Sequence, residues 1–234
     1  MPAISDIPVR ISVEEISYAW ESRRGRPLAP AMLKNLQELL EDDATDGWLD
    51  AAIHYQILKV TERGPDWIGV GAGRLDSAMV AQYLQQATHL CFGVCTLGQR
   101  LVQQIRDWFA EKKHLQAVLL DEIGTLLLYK LSDYFELLMC EQAKSLGLQA
   151  SGALNPGDDG FDISLQGTVL ELAGGNHIGV QLQGSGTLTP HKSLTAVIGL
   201  GRGMPMRSRS DRCRDCQSRA RCPHSHMLPA EAVA

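Results

Sequence analysis

Leu115-Gln116-Ala117-Val118-Leu119-Leu120-Asp121-Glu122-Ile123-Gly124-Thr125-Leu126-Leu127-Leu128-Tyr129-Lys130-Leu131-Ser132-Asp133-Tyr134-Phe135-Glu136-Leu137-Leu138 begins the longest helical pattern in the chain, which runs on to Gly147. Leu119, Leu120, Ile123, Leu126, Leu127, Leu131, Phe135 and Leu138 recur at helical spacing. Their stripe is wider than the two-position seam of a coiled coil, so the pattern predicts a helix buried on most of its surface. Such a helix is the backbone of a core, and the remaining elements must supply what it packs against.

Upstream, the pattern predicts helices over 12–24 and 30–42. Ser12 and Pro30 stand near their starts, and Ile16, Ala19, Trp20 and Leu33, Leu36, Leu39, Leu40 form the apolar stripes. Shorter alternation over 51–60 and 67–70 predicts strands parted by the turn-forming Glu62-Arg63-Gly64-Pro65. A helix is expected over 76–86, a buried strand over 89–95, and an amphipathic helix over 98–112 with Leu101, Val102, Ile105, Trp108 and Phe109 on one face. Beyond Gly147, a Gly- and Pro-rich loop, a short helix over 165–172 and strands over 178–182 and 193–200 complete the reading. The class is α+β, in three stretches: a helical lead-in at 1–50, an α+β domain at 51–200, and a basic Cys-rich tail at 201–234.

The 234 residues are 44% hydrophobic and 21% charged, the composition of an ordinary folded protein. The net charge is −5, but it is unevenly placed: residues 201–222 hold seven arginines against Asp211 and Asp215. No stretch approaches the roughly 18–20 apolar residues of a membrane span, and the N-terminus carries Asp6, Pro8 and Arg10 rather than a signal-peptide pattern. The expectation is a cytoplasmic protein without membrane contact. There, six cysteines point to metal ligation, catalysis or burial rather than disulfides.

Cys213, Cys216 and Cys222 follow a C-x2-C-x5-C spacing with His224 and His226 immediately after. Thiolates at such intervals can converge on one soft ion, and ligation itself orders a flexible segment. Three cysteines suit an iron–sulfur cluster, whereas His224 as fourth ligand completes a Cys3His zinc site; the spacing leaves both open. Cys91 and Cys95 share one face of an expected strand and Cys140 lies on the long helix, where a free cysteine packs as a small apolar residue. The arginines alone could grip phosphates, but the absence of interleaved aromatics argues against nucleic acid. Ile198-Gly-Leu-Gly-Arg-Gly203 lacks a following helix start, since Met204-Pro205 comes next, so it is not a dinucleotide loop. Asn155-Pro156-Gly157-Asp158-Asp159-Gly160 is a surface turn or a ligand loop. Pro190-His191-Lys192-Ser193 leads into a strand and offers Lys192 to an anion or a partner.

Four motifs in this order, Thr96-Leu-Gly98, Leu120-Asp-Glu-Ile-Gly124, Asn155-Pro-Gly-Asp158 through Ile163-Ser-Leu-Gln166, and Pro190-His-Lys-Ser193 to Ile198-Gly199, resemble those of the reactivation domain of cobalamin-dependent methionine synthase and its stand-alone relatives. The similarity spans about residues 10 to 222, and stand-alone relatives often end in a Cys-rich tail. The resemblance implies a curved domain with a twisted, mainly antiparallel sheet packed by helices. It also implies a groove for S-adenosylmethionine and a corrinoid carried by a partner protein or methyltransferase. The implied activity is reductive reactivation of cobalt. In this chain Asn155, Pro156, Gly157, Asp158, Lys192 and Ser193 would line the groove. Cys213, Cys216, Cys222 and His224 would hold an iron–sulfur cluster, or zinc, in the tail. A ferredoxin or flavodoxin is the electron donor expected.

Several positions depart from that pattern. The arginine three residues before the loop proline is Ala153 here, the loop tyrosine is Asp158, an acidic helix position is Tyr129, and the aromatic before Pro-x-Lys-Ser is Gly186. Alanine cannot supply the paired charge-assisted hydrogen bonds by which arginine holds a carboxylate.

Overall fold

The computed structural model of the protein describes residues 3–41, 47–71, 73–184, 186–204, 211 and 214. At its centre lies strand β5 (Ala87–Thr96), paired on one side with β2 (Ala52–Arg63) and on the other with β9 (Ser193–Gly201). Outside these, β3 (Trp67–Val70) and β4 (Gly73–Asp76) extend one flank and the two-residue β6 (Gln149–Ala150) the other. The order is β4-β3-β2-β5-β9-β6, and β1 (Ile4–Ser5) pairs with the start of β2. Every pairing is antiparallel. The small hairpin of β7 (Gln181–Leu182) and β8 (Leu188–Thr189) stands beside it. The chain is an α+β domain with a curled antiparallel sheet.

Helices cover both faces of the sheet. Cys91 and Cys95 of β5, with Ile53, Ala196, Ile198 and Leu200 of its neighbours, belong to the core shared with helices Val13–Arg24, Pro30–Glu41, Gln99–Ala110 and His114–Ser145. Leu90, Phe92, Val94 and Val197 belong to the opposite core, closed by helices Ala78–Tyr83 and Gln166–Ala173. Every residue from Leu90 to Thr96 is buried. A strand covered on both faces reads as an unbroken apolar run, which is how 89–95 appears in the sequence.

The long helix His114–Ser145 has 32 residues, about 48 Å at 1.5 Å per residue. It crosses the sheet where β5 has no side chain: a Cβ at Gly93 would overlap the ring of Phe135. That ring is fully buried, with its centroid 5.9 Å from that of Tyr55 on β2. A second notch, Gly124, admits the stem of Lys192 and the Leu101 side chain, which a Cβ would meet at 3.3 and 2.8 Å.

The first helix is fastened to the long one at both ends. Ser12 and Glu15 form a capping box: Ser12 Oγ accepts the Glu15 N–H at 3.2 Å, and Glu15 Oε2 accepts the Ser12 N–H at 2.8 Å. The other oxygen of Glu15 takes Lys130 Nζ at 2.6 Å. Two turns on, Arg23 pairs with Glu122, their side chains only 12% and 9% exposed. Glu15 to Lys130 and Arg23 to Glu122 run in opposite sequence directions, so the two helices are antiparallel. The lead-in residues thus share the main core.

Two predictions follow from these contacts. Gly93→Ala forces the Phe135 ring to move and should lower unfolding stability by about 1–3 kcal/mol in urea titration, with a smaller cost in a Phe135→Leu background. A loss no larger than for an exposed Gly→Ala change would refute the close approach. Glu122→Ala strands a buried guanidinium and should cost about 3–5 kcal/mol, whereas the apolar pair Arg23→Met with Glu122→Leu should cost far less.

Candidate functional site

Three of the four motifs meet at the end of the sheet where β5 finishes and β9 begins. Thr96 and Ser193 are cross-strand partners whose hydroxyls share a hydrogen bond of 2.8 Å. Thr96 Oγ1 also accepts the Gly98 N–H at 3.1 Å, and the Lys192 carbonyl accepts the Leu97 N–H at 2.9 Å. Adjacent residues of a strand point to opposite faces, so Lys192 turns away from Ser193 toward the long helix. There its ammonium donates to Asp121 Oδ1 at 2.8 Å and to Thr125 Oγ1 at 2.7 Å, and the side chain is 12% exposed. Lys192 is therefore a tie between the start of β9 and the long helix.

The fourth motif approaches β9 from its outer edge. Leu154 exchanges both backbone hydrogen bonds with Val197, at 2.9 and 2.8 Å, and Asn155 continues the pairing with its side chain, donating from Nδ2 to the Thr195 carbonyl at 2.8 Å. The chain then turns back on itself. Asp158 accepts the Asn155 N–H through Oδ2 at 2.8 Å, the Asn155 carbonyl accepts the Asp158 N–H at 2.9 Å, and the Phe161 carbonyl accepts the Gly157 N–H at 2.7 Å. Phe161, 1% exposed, anchors this loop in the second core. Asp162 then caps the 3-10 turn Ile163–Leu165 by accepting the Ser164 N–H at 2.8 Å, a contact that holds its carboxyl below the ordinary range.

Of the residues singled out in the sequence, Ser193 and Asn155 thus converge on one end of β9, Gly157 and Asp158 form the exposed lip beside them, and Pro156 is half-buried. Lys192 belongs to the same strand end but faces the other layer. Ala153 is fully buried. At Gly186, where φ is +80°, the space a Cβ would enter borders Ile163, as does that at Gly157. Ile163 is half-exposed and covers this ground.

Two polar features near this end had no signal in the pattern of residues. His54, 2% exposed on β2, has Nδ1 2.7 Å from the Ala173 carbonyl oxygen, so that nitrogen carries the proton and donates it. Its ring stacks on that of His177, centroids 4.7 Å apart and planes at 22°. Thr195, 1% exposed, carries a hydroxyl that finds no hydrogen-bond partner among the described residues. An alternating strand such as Ile53-His54-Tyr55 marks which way a histidine points but not what covers it. A separate hollow of about 230 Å³ is lined by residues 6–10 and 49–51, next to the ion pair of Asp50 with Arg100.

Cys213, Cys216, Cys222 and His224, the sequence-derived metal ligands, lie outside the described residues. Among the described residues there is no group of three or more His, Cys, Asp or Glu placed to hold a metal. Cys91 and Cys95 are fully buried, and burial pushes both thiols well above their ordinary range, with the neighbouring Glu136 charge adding to the effect at Cys95. They are packing residues, as their shared strand face suggests. Among the described residues no helix is long and apolar enough to cross a membrane.

No protein-family profile matches the chain, and no curated protein matches it. Solved structures do. The crystal structure of the MetH reactivation domain bound to AdoHcy superposes with a TM-score of 0.65 over 94% of this chain and 85% of that one, at 11% sequence identity. The chain shares the fold of that reactivation domain.

Proposed function

We propose that the protein is an accessory factor that docks on a corrinoid protein and assists reductive reactivation of its cobalt. The observation that carries the reading is the match to the MetH reactivation domain over nearly the whole chain. It is supported by the convergence of Thr96, Asn155 and Ser193 at one end of β9, motifs separated by up to 97 residues in the sequence. The exposed lip of the 155–158 loop and the neighbouring Ile163 form the surface that would meet the corrinoid partner. Lys192, through Asp121 and Thr125, holds the strand under that surface in register with the long helix.

Cys213, Cys216, Cys222 and His224 supply three thiols and an imidazole, a donor set suited to an iron–sulfur cluster or to zinc. A cluster held there would supply one-electron transfer at low potential, as reduction of cob(II)alamin requires. The seven arginines of 201–222 create a positive field that would attract an acidic ferredoxin or flavodoxin to the same segment. Zinc in place of a cluster would make the tail a structural staple, and the protein a binding or assembly factor.

Anaerobic purification and reconstitution, followed by iron, sulfide and zinc analysis and visible and paramagnetic-resonance spectra, separates these two readings. The relay reading predicts iron and sulfide in stoichiometric amount with thiolate-to-iron absorption, both lost in Cys213→Ser and Cys216→Ser. Zinc alone, with no colour, would end the relay and leave the binding factor.

A further inference from the structure

A ligand that carries an amino-acid carboxylate needs a cation or unspent N–H donors where that carboxylate sits, because a buried or half-buried anion without partners is costly. The loop beside β9 offers no cation, and four of its N–H groups are already spent. From Ser145 to His191 the chain contains no lysine and no arginine, while Asp158, Asp159 and Asp162 set three carboxylates along the loop. The cation that follows, Lys192, is already engaged by Asp121 and Thr125 on the other layer. The N–H groups of Asn155, Gly157, Asp158 and Phe161 are committed within residues 155–161, which leaves only those of Asp159 and Gly160 to face outward from that segment. One N–H of the Asn155 side-chain amide goes to the Thr195 carbonyl. Ala153 is fully buried and has no polar atom to present. Gly186 has no ring on which a nucleobase could stack.

We infer that the surface beside the 155–161 loop does not bind S-adenosylmethionine or S-adenosylhomocysteine. Instead, the Asp158 carboxylate closes the loop from within by taking the Asn155 N–H. The surface offered to a partner is therefore set by the chain's own hydrogen bonds and does not wait for a nucleoside. Only the identity of that partner rests on the reactivation reading; the chemical claim about the surface stands apart from it.

The test is calorimetric titration of the full-length, anaerobically prepared protein with S-adenosylmethionine and, separately, with S-adenosylhomocysteine, alongside hydrogen exchange of residues 155–161. The expected result is no saturable heat with either compound up to about 1 mM, a range that includes ordinary cofactor affinities, and no added protection of the loop. Asp158→Ala should raise amide exchange in 155–161 by about tenfold or more while exchange in the β5 core stays unchanged, since one charge-assisted hydrogen bond is removed locally. Saturable binding tighter than about 1 mM, or ligand-induced protection of 155–161, would overturn the inference. Unchanged loop exchange in Asp158→Ala would overturn the closure by Asp158. Binding of either compound would leave corrinoid docking intact, whereas failure to dock would leave this result untouched.

Discussion

The architecture depends on laying a helix of 32 residues flat against a strand that is already buried on its other side. A close fit of this kind needs room at the crossing point, and β5 provides it by having no side chain at Gly93, beneath Phe135. With the helix seated there, Leu120, Ile123, Leu127 and Leu131 fill the space between sheet and lead-in helices. Arg23 and Lys130 fasten the first helix across its back. The same seating brings Gly124 over the stem of Lys192 and so fixes where β9 starts. Core packing and the position of the candidate site are consequences of one contact surface.

The site itself is assembled at the polar end of an otherwise apolar sheet. Thr96, Ser193 and Thr195 face the layer that also holds His54, and the 155–161 loop closes the outer edge by letting the Asn155 amide stand in for a strand partner. Backbone bonds from Ser151 and Leu154 carry the pairing with β9 past the two-residue β6, and the side chains of Asn155 and Asp158 take over in the loop. A surface built this way is held together by the chain's own hydrogen bonds.

Much of the fold was legible because its signals are local. The capping serine and Pro30 mark helix starts that the structure places at Val13 and Pro30, and the wide apolar stripe marks the long helix to within a residue or two at each end. Expectations broke where partners at a distance decide. The strand expected over 51–60 continues to Arg63 because β3 folds back on it. The helix expected over 76–86 shrinks to Ala78–Tyr83, since Ser77 caps it and Ala87 is already committed to β5. Ile178 was expected in a strand, but left-handed glycines at 174 and 179 bracket it in a 3-10 turn. For the candidate site, the sequence singled out residues 155–158, Lys192 and Ser193; the structure sets Asn155 and Ser193 at one end of β9 and the 155–158 loop beside them, whereas the tie of Lys192 to Asp121 and the stacking of His54 on His177 are products of tertiary packing with no trace in spacing.

The central functional claim is that this fold serves reduction of protein-bound cobalt. The most direct measurement is the visible spectrum of a corrinoid methyltransferase protein held as cob(II)alamin with a methyl donor and a low-potential reductant, followed with and without this chain. The account predicts faster, saturable conversion to methylcob(III)alamin when the chain is present, with a stable complex in size-exclusion chromatography. An unchanged rate together with no complex would contradict it.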